Sequence, residues 1–471
     1  MGSAESNRNK ILFSTGTNFL SAGITVVLVA LLPLRLDVTS YGYYQLFMFY
    51  NAYTPIAYLG WCEGIYLRYG GQFYQDLDKR VFNNQIRLFV IFQALVGLVL
   101  LGATLSAVAS EERKFVFVCL SVSVLITNLP YFFQYLLTAV GEIEKYCLGF
   151  IVARGTILIA SVAFFSLGIN SYRPYVMCVL VGDALASVYY LYNCRNLLMR
   201  HLTDLRGSVV EAKENIIAGA PLLIGNTASM LVIGVMRQGV ERGWSVATFG
   251  KVSLTLQASN IVLKFISAVG TVLFPLLRRM SAERQADLYR DLASLVQSFS
   301  LIMMLSYYPI CVILNWWLPK YSDAIAYMGV LFPICLFEAK TSLLGYTYLK
   351  SLRKERQIMY VNLAMVAVSI MLAVAGVVYV HSLDFMIFGI VVILAVRSTV
   401  LECIASKAVG LNTTRFIVEG ILVSAAFVVS NWFMQGSLSS LPYLIAMLIY
   451  LLIEGRQTMD SLRLLRDNKN P

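Results

Sequence analysis

The chain has 471 residues, 58% of them hydrophobic and only 13% charged, with a mean hydropathy of +0.71 and a formal net charge of +11. Soluble domains carry about 25% charged residues, so a soluble protein is excluded, and the apolar runs of roughly 17 to 25 residues each suffice to cross a hydrocarbon core about 30 Å thick as a helix. The two histidines, His201 and His381, fall in predicted loops on opposite sides of the membrane and give a histidine-based catalytic or zinc site almost nothing to work with, while the eight cysteines show no CxxC spacing and read as small buried hydrophobes.

Taken in order, the apolar runs predict an all-α, polytopic membrane protein of about 14 transmembrane helices. They fall at 11–34, 42–67, 87–107, 115–140, 146–168, 174–194, 215–236, 250–276, 292–317, 324–348, 358–380, 385–407, 416–434 and 441–456. The first run, Ile11 to Leu34, is too long for a signal's apolar core and lacks a small-residue cleavage site, so it is expected to stay. With both termini cytoplasmic, 25 of the 37 Lys and Arg lie inside and 8 outside, the bias that orients membrane proteins. The basic net charge then reflects topology and anionic lipid, not nucleic acid.

A stretch running into the second span, Val38 to Leu46 (VTSYGYYQL), aligns with one running into the eighth, Val246 to Leu254 (VATFGKVSL), at an offset of 208. The same offset carries Asn18 onto Asn226 and Ser21 onto Ser229. An offset of six spans preserves orientation, so the halves form parallel repeats about an axis along the membrane normal. This predicts a six-helix lobe at 1–194, an amphipathic cytoplasmic linker helix at 195–213, a second six-helix lobe at 214–410, and two extra helices with a short basic tail at 411–471.

Phe249-Gly250 leads into an apolar stretch that ends in Phe274-Pro275-Leu276-Leu277-Arg278-Arg279, preceded by Ala220-Pro221-Leu222-Leu223-Ile224-Gly225-Asn226 and matched in the first half by Tyr41-Gly42. These residues resemble the polysaccharide-export flippases of the multidrug/oligosaccharidyl-lipid/polysaccharide exporter superfamily. The resemblance implies translocation of an undecaprenyl-pyrophosphate-linked oligosaccharide across a bacterial inner membrane, by alternating access of two lobes around a central cavity lined mainly by spans one, two, seven and eight. It implies a non-enzymatic protein without a resident cofactor, and as partners the lipid-linked substrate, membrane lipid and a glycan polymerase with its chain-length machinery. Members often carry an acid before the cation that precedes the eighth span; here Met236 stands before Arg237, which puts that acid's role in doubt.

A charge at the bilayer centre costs about 2.5 to 3.5 kcal/mol on insertion scales, so each intramembrane charge needs a partner, an aqueous cavity or a task. Lys264 lies fourteen residues past Gly250, about 21 Å along a helix, and is expected to face the cavity and neutralise a pyrophosphate or acidic sugar. Arg154 and Asp183, in consecutive spans at similar depth, are either a structural ion pair or, with Arg154 turned to the cavity, the first lobe's counterpart to Lys264. Arg35, Arg237, Arg397, Asn18 and Asn226 complete the candidate substrate-binding set. Glu338 and Lys340 are two apart, and Arg397 and Glu402 five, so these four seek partners on other helices; structural packing and an H+ or Na+ site at Glu338 are the two readings. Glu63 and Arg68 are a membrane-boundary pair or a gate, and Arg415 and Glu419, four apart, an interfacial salt bridge. Tyr50, Tyr53 and Tyr58 are candidate sugar-stacking surface, and Pro55 and Pro221 candidate hinges.

Two other functions stay open. A cation-coupled drug or metabolite antiporter should concentrate acids in its first lobe, whose first span has no charge, and a membrane glycan polymerase or ligase needs a long outer loop with clustered acids and bases, whereas the predicted outer segments are short.

Overall fold

A computed structural model describes residues 2–198, 205–259, 277, 282–434 and 440–467. All regular structure among them is helical, and nine helices are long and apolar enough to span a bilayer. The pair Pro319–Leu331 and Ile334–Ser351, bent by 42°, meets the same length and composition together. The chain divides into two compact units, Met1–Thr227 and Ala228–Pro471.

Unit 1 holds helices α1 (Gly2–Arg35), α2 (Val38–Asn51), α3 (Trp61–Tyr69), α4 (Lys79–Ala107), α5 (Glu111–Ala139), α6 (Ile143–Ser166) and α7 (Tyr172–Asn193), with the first part of α8 (Leu205–Gly243). Short polar side chains start α2, α4, α5 and α7 by accepting from amides that the first turn leaves unpaired. Asp37 accepts from the Thr39 and Ser40 amides at the start of α2, Asp78 from Arg80 and Val81 at α4, and Ser110 from Arg113 at α5. Burial would raise the Asp37 carboxyl, but its bonds to Ser40 and Thr39 prevail and hold it below the ordinary value. Helix α5 closes at Gly141, whose positive φ of 74° lets the Glu142 amide return to the Leu137 carbonyl at 2.9 Å.

The second span departs from the continuous helix expected at 42–67. It breaks into α2, a tight turn over Thr54–Tyr58 and α3. Pro55 removes an amide, and Leu59 and Gly60 take positive φ of 57° and 93°. A broken backbone inside a membrane needs internal partners, and two buried amides supply them: Asn128 Nδ2 donates to the Thr54 carbonyl at 3.0 Å and to Gln93 Oε1 at 2.9 Å, while Gln93 Nε2 donates to the Ala57 carbonyl at 3.4 Å. After the break, α3 runs against α8 at backbone distance. A Cβ on Gly64 would meet the Asn215 carbonyl oxygen at 1.8 Å, and one on Gly219 the Gly60 oxygen at 2.0 Å. Only glycines permit that approach, the small-xxx-small packing by which apolar helices associate without a hydrophobic drive. Helix α8 itself continues unbroken through Pro221, so of the two expected hinge prolines only Pro55 marks an interruption.

Unit 2 comprises the rest of α8, then α9 (246–259), α10 (Ala282–Met304), α11 (Tyr307–Trp317), α12 (Ser322–Leu331), α13 (Ile334–Lys340), α14 (Thr347–Ser351), α15 (Glu355–Val374), α16 (Leu383–Ala408), α17 (Thr414–Phe433) and α18 (Leu441–Asp467). Its core gathers Met236 and Val240 of α8, Val330, Leu331 and Phe332, Ile387 and Ile390 of α16, and Phe427 of α17. A π-helical turn, Thr341–Tyr346, follows Lys340 directly.

Candidate functional site

Tyr131, Gln134, Tyr135 and Thr138 occupy α5 at i, i+3, i+4 and i+7, and therefore share one face. With Tyr66 from α3 and Tyr146 from α6 they line a cavity of about 310 Å³ in unit 1. The Tyr66 and Tyr135 rings meet edge to face with centroids 6.2 Å apart. Tyr146 is fixed from behind, where the Tyr190 hydroxyl donates to its carbonyl at 2.8 Å. Gly149 admits that Tyr190 ring, for a Cβ there would fall 2.2 Å from the ring's Cζ.

Behind the tyrosines sits Glu63, 2% exposed. It does not pair with Arg68. Tyr58 and Tyr135 each donate a hydroxyl proton to its Oε1 at 3.3 Å, and its Oε2 has no hydrogen-bond partner. Arg68 instead reaches the beginning of α8, pairing with Glu211 and Glu214 at 2.7 Å each and donating to Asn215 Oδ1 at 2.6 Å. The pattern of α3 explains the division: Glu63 and Arg68 are five positions apart, so they leave the helix on different faces.

Arg154 lies beyond the cavity on α6, two turns after Tyr146. Helical side chains lean toward the N-terminus, and the guanidinium lies over Phe150, 5.3 Å from its centroid, close enough for its charge to act on Tyr131 and Tyr146. The expected ion pair with Asp183 does not form. Their charges interact, yet no carboxylate among the described residues lies within 4.0 Å of Arg154, and Asp183 accepts instead from Thr127 at 2.8 Å. Four phenol rings, an amide and a hydroxyl thus converge from three helices, with a carboxylate buried behind and a guanidinium further along α6 whose charge reaches two of the rings. This set can stack against sugar rings, exchange hydrogen bonds with hydroxyls, and hold an oxyanion by the planar fork of an arginine.

The other expected site residues lie elsewhere. Tyr58 is buried beside Phe89, and Tyr50 and Tyr53 pack edge-on against Phe49, so these three do not line the cavity. Arg35 lies over Phe165 and above Gly168, at the turn between α6 and α7. Arg237 donates to Ser253 at 2.9 Å and covers Phe249. Asn226 is exposed on α8. Lys264 and the Asn18 side chain lie outside the described residues. In unit 2 the four charges pair crosswise, Glu338 with Arg397 and Lys340 with Glu402 at 3.1 Å. Arg415 bonds Glu419 at 2.9 Å and also Glu454. The described residues contain no cluster of three metal-ligating side chains. The α5 face escaped the sequence reading, although four polar or aromatic residues at i, i+3, i+4 and i+7 in an apolar helix are a signal for it.

No family model matches the chain, and no curated protein matches it in sequence. Solved structures do match its fold. "Lipid II flippase MurJ, inward closed conformation" aligns with a TM-score of 0.65 at 12% identity, over 95% of this chain and 100% of that one. An inward-facing multidrug resistance MATE family transporter of the MOP superfamily aligns with a TM-score of 0.64 at 13% identity, over 84% of this chain and 94% of that one. A MATE structure in complex with MaD3S aligns with a TM-score of 0.51 at 13% identity, over 85% and 93%.

Proposed function

We propose that the chain is a flippase, moving an undecaprenyl-pyrophosphate-linked oligosaccharide from the cytoplasmic to the outer leaflet of a bacterial inner membrane by alternating access, without covalent chemistry. The observation that carries this is Arg154: a membrane-embedded guanidinium with no carboxylate within 4.0 Å among the described residues, beside a tyrosine-lined cavity. An unpaired charge at that depth is costly, and an incoming phosphate would compensate it while the tyrosines take the sugars. The fold shared with a lipid II flippase supports the reading. On this reading both termini are cytoplasmic, Lys264 is a further substrate-binding cation, and a glycan polymerase with its chain-length machinery receives the product.

A second reading, a cation-coupled drug or metabolite antiporter, has its own observation: Glu63, with one oxygen unpartnered, behind an aromatic cavity. That set favours an amphiphilic cation, and H+ or Na+ would then be the coupling ion. Purified protein in vesicles separates the two. Transbilayer movement of a fluorescent lipid-pyrophosphate oligosaccharide, lost in Arg154→Ala, supports the flippase; movement of a fluorescent cation alone, lost in Glu63→Gln, replaces it by the antiporter.

A further inference from the structure

Unit 2 contains a second polar centre that neither reading uses. The Lys340 and Glu402 side chains are 4% and 1% exposed. Lys340 Nζ donates to Glu402 Oε2 at 3.1 Å and to the Phe416 carbonyl at 3.4 Å, which engages two of three ammonium protons. Glu402 Oε1, Ser398 Oγ and both amide atoms of Gln297, Oε1 and Nε2, are buried with no protein hydrogen-bond partner. Orphaned polar atoms of this kind are costly to bury, the more so when charged. They are gathered around one spot. Lys340, Ser398, Glu402 and Gly420 line a cavity with room for the centre of one water molecule, about 10 Å³. Gly420 shapes it, since a Cβ there would stand 3.1 Å from Gln297 Oε1 and 3.4 Å from Lys340 Nζ.

The chemistry of the spot selects its occupant. A sodium ion would face the Lys340 ammonium, and a halide would face the Glu402 carboxylate and the Gln297 carbonyl oxygen. A single neutral molecule that both accepts and donates fits all three. We propose that unit 2 binds one water molecule at the Gly420 notch, accepting from Lys340 and donating to Glu402 Oε1 and Gln297 Oε1. Helices α10, α13, α16 and α17 each contribute to this site, so the water ties α17, which the sequence places outside the six-helix repeat, into the polar centre of the unit.

Two substitutions at one position test this. Gly420→Ala places a methyl group in the notch and displaces the water, whereas Gly420→Ser, though larger, supplies a hydroxyl with the same donor and acceptor capacity. The melting temperature of purified protein should fall by about 3 °C or more for Ala and recover toward wild type for Ser. In a Lys340→Met, Glu402→Met background the advantage of Ser over Ala should vanish. Serine no better than alanine, or an equal advantage in the apolar background, would overturn the proposal. So would a rise in wild-type melting temperature when sodium chloride replaces choline chloride, which would assign the notch to sodium.

Discussion

Tyr135 separates Glu63 from the cavity: its ring forms part of the wall and its hydroxyl donates to Glu63 Oε1 at 3.3 Å. One side chain therefore serves both as stacking surface and as half of the carboxylate's hydrogen bonding. Tyr135→Phe keeps the surface and removes the bond, and Tyr135→Ala removes both. If sugars stack here, Phe should hold substrate affinity within about threefold while Ala loses tenfold or more, since an aromatic contact is worth roughly 0.5 to 1.5 kcal/mol beyond its area. Equal losses in both would place the function in the hydroxyl and the carboxylate behind it. Substrate titration in the vesicle assay reads the difference.

Arg154 is tested by charge and by shape. Arg154→Ala should abolish flipping of a pyrophosphate-linked substrate at normal protein level, and Arg154→Lys should retain a minor fraction, because a point charge replaces a planar fork poorly. A merely structural arginine would show the opposite, with folding impaired in both. Size-exclusion profiles beside the transport rate distinguish the cases.

What the sequence reveals and withholds follows from what periodicity can encode. Apolar run length located the nine clear spans, because hydrocarbon thickness fixes it. Spacing predicted that Glu338, Lys340, Arg397 and Glu402 would look to other helices, and they do. It could not choose the partners, which depend on helix rotation. Rotation is also why Asp183 bonds Thr127 instead of Arg154. The break in the second span was signalled only by Pro55; the carbonyls it frees at Thr54 and Ala57 are satisfied by Asn128 and Gln93, tens of residues away. Of the second span's tyrosines, Tyr66 lines the cavity while Tyr50, Tyr53 and Tyr58 pack against phenylalanines, because tyrosine content does not tell which way a ring faces.

The α3 to α8 crossing gives a stability prediction. A methyl group on Gly64 would stand 1.8 Å from a carbonyl oxygen of α8, and backbone cannot yield as a side chain can. Gly64→Ala should cost about 1 to 3 kcal/mol or more and lower the melting temperature by at least about 4 °C. Gly102→Ala, with nothing within 4 Å of its Cβ, should leave it unchanged. Equal melting temperatures would mean that the helices do not touch there in the membrane.

The pair of Glu338 and Arg397 separates structural packing from ion coupling. The Arg397 side chain is 2% exposed and that of Glu338 20%, and Arg397 also donates to the Ser229 carbonyl at 3.4 Å. Arg397→Met leaves the partly exposed Glu338 carboxylate without its partner and should destabilise by about 1 to 3 kcal/mol. Removing both leaves nothing stranded, and Arg397→Met with Glu338→Met should recover most of that loss. A structural pair predicts that the recovered double variant transports with the wild-type dependence on proton or sodium gradient. If Glu338 is the coupling acid, the double variant is equally stable but indifferent to the gradient. Transport with and without an imposed gradient, on variants matched in melting temperature, decides between them.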